Sequence, residues 1–367
     1  MPKVLVVYES LATPSTTVRA LQFRDCFERD EELDATFIGR TSERMNRVME
    51  RWPWRPAVRR PAEIWEQNVI RRREDGIVRK AKEADLVMMM TVPSWSLHQR
   101  LAELPNTKLV TDLIDALWLP GFQQQGWGNI HEMLSSSDAV ICENEFTAAY
   151  TRDHNSSVFV VPDAPQIEAF DSQRQSVERD SSQCTIGWIG GKYTADALYR
   201  IFEPLEAVFQ KHGNVTLRLV GADPDRLPRF EAVRHSVQTS YDQNRMVREV
   251  LAMDIGIFPM FDVAESMYRG ALKSRIYMAG EAAVIGQRLG ENESLIINGE
   301  NGLLAGDDQQ WVDALEQLIG DDAFRKRIAT AGRSTIERSF TRDESYRRLR
   351  ASLLAVLDET TKEEVAR

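Results

Sequence analysis

IGIFPM (255–260), MYRGALKSRIYMAGEAAVIGQ (267–287) and GENESLIINGENGLLAGDDQQWVDALEQLIGDD (290–322) decide the reading of this chain. The first is a buried-type strand closed by Pro259. A loop leads into a helix that carries Lys273, Ser274 and Arg275 and ends at Gly280. An apolar strand follows (AAVIG, 282–286), then an acidic loop with glycine, then the turn at Asn301-Gly302. A helix start offers free backbone N–H groups at the positive end of its dipole, so this order of elements suits a phosphate-bearing ligand. Two cations and a hydroxyl at that start suit a diphosphate. The plainer alternative for Lys273, Ser274 and Arg275 is a solvated helix face.

The same alternation extends outward in both directions. Strands are predicted at 4–8, 35–39, 85–90, 108–114, 139–144 and 158–162, with helices between them, for example 17–29 and 62–84. Residues 166–183 (QIEAFDSQRQSVERDSSQ) are polar and break the rhythm, which marks a linker. It restarts with strands at 185–190, 215–221, 236–240, 255–260, 282–286 and 302–306, and helices at about 194–211, 243–252, 270–280, 308–319, 321–338 and 343–360. Continuous apolar strands with helices between them form parallel sheets covered on both faces. The expected fold class is α/β, with two doubly wound Rossmann-like domains and a ligand crevice at the carboxyl ends of their strands. The domains fall at 1–165 and 184–340. A last helical segment, 341–367, is expected to pack back on the first domain.

The chain has 367 residues, 43% hydrophobic and 28% charged, enough for two globular domains. No run of eighteen apolar residues exists, and the N-terminal MPKVLVVYES reads as a first strand, not a signal peptide. A cytoplasmic protein is expected, with a peripheral place at the inner membrane face, through residues 44–82, as the open alternative. Cys26, Cys142 and Cys184 are widely spaced and read as free thiols. The five histidines show no metal-ligand spacing, so neither a metal nor a bound cofactor is expected. Net charge is −10, yet residues 44–82 hold twelve basic and five acidic residues. A basic face on an acidic protein points to a specific anionic partner. Trp52 and Trp54 lie within it, in RWPWRP, where prolines favour a rigid loop. Tryptophan beside cations fits a membrane interface, a lipid-linked acceptor or stacked nucleic-acid bases. Simple anchoring of the loop is the plainer reading.

Further candidates stand where strands end. Gly190 and Gly191 would let backbone approach a ligand, with Lys192 meeting a phosphate. A plain strand-to-helix turn fits equally well, and the GxGxxG signature is absent. Ser15 or Thr16 would cap the first helix. Arg19, in the first turn, opposes the helix dipole and calls for a ligand or an acid partner. Asp112 and Asp115 end a strand and would orient an acceptor hydroxyl or take its proton; capping is the alternative. Glu143 and Asn144 stand at a similar place.

The region 185–340 resembles the nucleotide-sugar half of the family-four glycosyltransferases of the GT-B fold. Lys273…Tyr277-Met278-Ala279 resembles the K-x-x-E-Y-M-A segment, and Gly290…Glu293 the G-x-x-E loop. Asn298-Gly299-Glu300-Asn301-Gly302-Leu303-Leu304 resembles N-G-x-N-G-L-L, and Asp321–Arg333 the terminal D-D-x-x-R-x-x-I-x-x-A-G-R helix. The likeness over 1–165 is weaker and consistent. It implies two Rossmann-like domains facing a central crevice, a nucleotide-diphosphate sugar as co-substrate, and sugar transfer with retention and without a metal. It places the donor at Gly190, Gly191, Lys192, Glu265, Tyr268, Ser274, Arg275 and Glu293, with Lys273 at the leaving diphosphate. The acceptor falls on the first domain, at Ser15, Arg19, Asp115, Trp52 and Trp54, with Asp112 and Lys273 catalytic. The family's two glutamates fall on Tyr268 and Ile276, neither of them acidic; Glu265, Glu281 and Glu293 are the nearby acids. Three alternatives stay open: a binding or scaffold protein with a degraded donor site, a glycosyltransferase acting on nucleic acid, and a nucleotide-sugar epimerase.

Overall fold

The computed structural model describes residues 1–11, 15–41, 56–122, 127–180, 182–239 and 242–365, without the side chains of 56–64, 66, 192–193 and 359–365. The chain divides into two units, Met1–Asp163 with Ser345–Arg367, and Ala164–Glu344.

Unit 1 is a six-stranded sheet in the order β2-β1-β3-β4-β5-β6. Its strands are β1 (Lys3–Tyr8), β2 (Asp34–Gly39), β3 (Leu86–Met90), β4 (Lys108–Leu113), β5 (Ala139–Cys142) and β6 (Val158–Val160). Every pairing is parallel. The helices are α1 (Arg24–Glu28), α2 (Pro56–Ala81), α3 (Trp95–Ala102), α4 (Ile130–Ser136) and α5 (Glu145–Thr151). Alternate residues of β1 serve the two faces: Val4, Val6 and Tyr8 join Phe23, Phe27, Leu349 and Leu353 in one cluster. The single helix expected over 17–29 is broken. A π turn (Thr16–Ala20) and a 3₁₀ turn (Leu21–Phe23) precede α1. Arg19 in the π turn is pulled inward by buried carboxylates described below.

Unit 2 is a second six-stranded sheet, in the order β12-β11-β10-β7-β8-β9. Its strands are β7 (Cys184–Ile189), β8 (Val215–Val220), β9 (His235–Gln238), β10 (Ile255–Phe258), β11 (Ala283–Gln287) and β12 (Leu303–Ala305), again all parallel. The longer helices are α6 (Ile167–Gln173), α7 (Phe202–Lys211), α8 (Gln243–Leu251), α9 (Leu272–Ala279), α10 (Asp308–Gly320) and α11 (Asp322–Ser339). Asp307 and Asp321 cap α10 and α11 by accepting from Gln310 N and Phe324 N. The helix expected over 194–211 is a 3₁₀ segment (Lys192–Ile201) followed by α7. Pro204 has no N–H for the carbonyl of Arg200, so the α-helix starts anew with the proline in its first turn. A last helix, α12 (Arg342–Val365), returns to unit 1. There Ser345 Oγ donates to Pro162 O (2.8 Å) and Tyr346 OH to Asp30 Oδ2 (2.7 Å).

The polar segment 166–183 is not a free linker. It forms α6 and a 3₁₀ turn inside unit 2, because its sparse apolar side chains are placed to bury. Phe170 is buried among Val250, Ala279 and Ile336. Asp171 accepts from Arg333 Nη2 at 2.8 Å, and Arg179 Nε donates to Leu251 O at 2.8 Å. No described helix is long and apolar enough to cross a membrane.

Candidate functional site

In a doubly wound sheet, ligands bind at the carboxyl ends of the strands where the chain's winding reverses. In unit 2 that place lies between β7 and β10. These strands share only two register pairs, Ile186–Ile255 and Gly187–Gly256. Beyond them the backbone groups are joined by one hydroxyl. Tyr277 OH of α9 accepts from Ile189 N (2.8 Å) and donates to Ile257 O (3.1 Å). Gly256 makes room for the ring, since a Cβ there would lie 2.2 Å from it.

One turn earlier on α9, Lys273 lies over the same gap. Its Nζ is 4.7 Å from the ring centroid of Trp188 on β7 and 5.2 Å from that of Phe258 on β10. It also reaches Thr194 Oγ1 at 3.4 Å. Burial, with Arg269 nearby, pulls the ammonium down to about 7. Among the described residues no carboxylate is ion-paired with it. Gly190 is required for packing: a Cβ would lie 2.4 Å from Trp188 and 2.6 Å from Thr194 Oγ1. A Cβ on Gly191 would meet nothing within 4 Å, so the backbone there is open to a ligand. The Lys192 side chain lies outside the described residues.

Ser274 and Arg275 are a correction. Both were expected at a diphosphate, and both face the interior. Successive residues of a helix are rotated by about 100°, so with half-buried Lys273 at the gap the next two point into the core. Ser274 Oγ donates to Asn292 Oδ1 at 2.8 Å. Arg275 is 1% exposed, pairs with Glu291 and stacks 4.5 Å over the Phe340 ring. The other Glu291 oxygen accepts from Ala271 N, at the start of α9, at 2.6 Å. These bonds fix the 290–294 loop to the helix start. Gly290 completes the join with φ +57°, where a Cβ would strike Met267 O at 2.8 Å. The sequence reading missed Glu291 and Asn292. The available signal was Arg275 on a helix face shared with Ile276 and Met278, which demands a buried acid. Glu293 is exposed, while Glu265 and Tyr268 are half-buried. Ile276 is buried, so the position of the family's second glutamate belongs to the core.

In unit 1 the winding reverses between β1 and β3. Arg19 is fully buried there. It donates to Asp112 Oδ1 (2.5 Å) and Oδ2 (3.2 Å), Asp163 Oδ1 (2.7 Å) and Val161 O (2.7 Å). Burial opposes its charge, but Asp112 and Asp163 hold its pKa above the ordinary value. The acid partner required by Arg19 is therefore present. Asp112, expected to be catalytic, is 0% exposed and engaged in this ion pair, so its carboxylate serves the core. Arg19, at 1% exposed, is likewise part of the core. Asp115, two residues past β4, is half-buried. Ser15 does not cap its helix; its Oγ lies 3.4 Å from Thr91 Oγ1. Thr91, just past β3, has φ +50°, a strained backbone for a β-branched residue. Asn144 is a cap, accepting from Thr147 N at 2.9 Å. Trp52 and Trp54 lie outside the described residues. Of the basic stretch, Arg71 and Arg72 are exposed, but Arg73 is structural, donating to Gly39 O and Arg40 O. All three cysteines are free and buried, and no group of three His, Cys, Asp or Glu among the described residues is placed to hold a metal.

Residues 183–321 match the family model described as glycosyl transferases group 1. No curated protein matches the chain. HepE of Anabaena, solved in complex with UDP-glucose, superposes with a TM-score of 0.70 at 15% identity, covering 97% of this chain and all of that one. A UDP-forming α,α-trehalose-phosphate synthase from Burkholderia xenovorans gives 0.66 at 13% identity, covering 98% and 99%. Sucrose-phosphate synthase from Thermosynechococcus elongatus gives 0.65 at 14%, covering both chains in full. At such identities the structures carry the fold alone: the chain has the GT-B fold, and its residues 183–321 are similar to the glycosyl transferases group 1.

Proposed function

We propose that this chain moves a sugar from a nucleoside-diphosphate donor to an acceptor hydroxyl, with retention and without a metal. The carrying observation is Lys273, a half-buried cation with no carboxylate partner among the described residues, held over the β7–β10 gap by Trp188 and Phe258. Negative charge grows on the diphosphate as the glycosidic bond breaks. A fixed cation in a partly dehydrated site favours that state over the ground state. The open backbone at Gly191 and the loop fixed by Glu291 frame the same place. HepE, which shares the fold, binds UDP-glucose, which supports a uridine donor. Retention rests on the resemblance to the family-four enzymes, in which the acceptor proton passes to the leaving phosphate. That route needs no carboxylate base, in keeping with the enclosure of Asp112. The acceptor is assigned to unit 1, near Ser15 and Asp115, with anionic or lipid-linked molecules favoured by the exposed Arg71 and Arg72.

One observation favours a second reading, a binding protein with a weakened donor site. Ile276 occupies the position of a ribose-binding glutamate and lies in the core. The deciding experiment is a thermal-shift panel of UDP, GDP, ADP, TDP and their sugars, followed by product analysis with the nucleotide that binds. A ligand specific to the folded state raises the melting temperature. A shift with UDP, lost in Lys273→Ala, is expected. No shift with any nucleotide at millimolar concentration would overturn the donor assignment.

A further inference from the structure

Unit 1 contains a pocket of about 600 Å³ that none of the donor residues touches. This size is ordinary for a small-molecule site, which spans roughly 300–1,000 Å³. It opens at the carboxyl end of β2, between α2 and α3, and its largely polar lining includes Arg40, Arg71, Glu74, Asp75, Ser96 and Arg100.

These charges are not equivalent. Arg40 is fixed. Its Nη1 donates to both oxygens of Glu9 (3.0 and 2.9 Å) and its Nε to Glu74 Oε1 (2.8 Å). Ser94 Oγ donates to the same Glu74 oxygen at 2.8 Å. Arg73 clamps the strand end behind it through Gly39 O (2.7 Å) and Arg40 O (2.9 Å). This wall is therefore rigid and its charge is satisfied. Arg100 and Asp75 form a single 2.7 Å contact, both partly exposed, at 36% and 45%. Such a surface pair is weak and easily exchanged for a better oxyanion. Arg71 is exposed and, among the described residues, is ion-paired with no carboxylate. Two solvent-accessible guanidiniums thus border a polar wall that offers Glu74, Asp75 and Ser96 as hydrogen-bonding groups. Guanidinium forks grip one oxyanion, and carboxylates and a serine accept and donate to hydroxyls.

We propose that this pocket binds a small polyhydroxylated molecule bearing one oxyanion, a sugar phosphate or a sugar acid, with Arg71 and Arg100 holding the anion. Naming it the acceptor rests on the glycosyl-transfer reading above; the binding itself does not.

The test is isothermal titration of the full chain, without donor, using glucose 6-phosphate, glucuronate, inorganic phosphate and glucose as probes. One or both sugar anions should bind, and each at least tenfold more tightly than glucose or inorganic phosphate. Binding of one and not the other tells phosphate from carboxylate. Arg71→Gln should weaken the binding about tenfold or more with unchanged circular dichroism, and Arg100→Gln likewise, while Lys273→Ala should have no effect. Equal binding of inorganic phosphate would overturn the sugar part of the proposal. Unaltered affinity in Arg71→Gln and Arg100→Gln would overturn the site. UDP binding with no sugar-anion binding would remove this pocket and leave the donor reading standing. Sugar-anion binding without UDP binding would do the reverse.

Discussion

Lys273 Nζ lies 4.7 Å from the centre of the Trp188 ring, so a helix cation is held against the strand next to the reversal point of the second sheet. Its pKa, pulled down to about 7 by burial and by Arg269, gives the site a pH dependence with a defined sign. A diphosphate binds the protonated form. Nucleotide binding should take up a proton above pH 7 and weaken as pH rises from 7 to 9, approaching about tenfold per pH unit. Calorimetry in buffers of different ionisation enthalpy reads the uptake. Stability of the free chain moves the other way: between 7 and the ordinary lysine range the unfolded state keeps a proton that the folded state has released, so this group contributes stability that rises with pH. Lys273→Met should lose both dependences.

Tyr277 OH supplies what the sheet lacks between Ile189 N and Ile257 O. Tyr277→Phe keeps the ring on Gly256 and leaves a buried N–H without its partner. A loss of about 1–3 kcal/mol is expected, read from the urea midpoint. No change would mean that water replaces the hydroxyl.

Asp112→Asn tests the enclosure of the Arg19 cluster. Leaving a buried guanidinium short of a partner should cost about 3–5 kcal/mol and lower the urea midpoint. Arg19→Met combined with Asp112→Leu should recover part of that loss. Normal stability with abolished transfer would instead return Asp112 to the chemistry.

Glu291→Gln should destabilise by a similar amount, about 3–5 kcal/mol, because Arg275 is left charged in the core. The melting temperature should fall well below that of Lys273→Ala, which removes a cation that has no acid partner among the described residues. A fall equal in the two variants would contradict the assignment of Arg275 and Glu291 to structure.

The sequence alone determined the two-sheet α/β class. Runs such as VLVVY and IGIFPM are apolar on both faces and too short for helices, so they become covered parallel strands wherever helices intervene. It also determined that Lys273 begins a helix just after a strand, because Pro259 and Gly280 punctuate the chain there. The tertiary structure decided which charges meet a ligand. Neighbouring residues on α9 look alike as letters, yet their side chains point in different directions, and only the packed sheet shows that Lys273 faces the gap while Arg275 meets Glu291. In unit 1, Arg19 and Asp112 are 93 positions apart, and their partnership depends on the winding that places their elements side by side. The polar letters of 166–183 suggested a linker, but Phe170 found a core that local composition does not reveal. Periodicity is a local property and survives in the sequence; burial and pairing of charges are long-range, and only the folded chain supplies them.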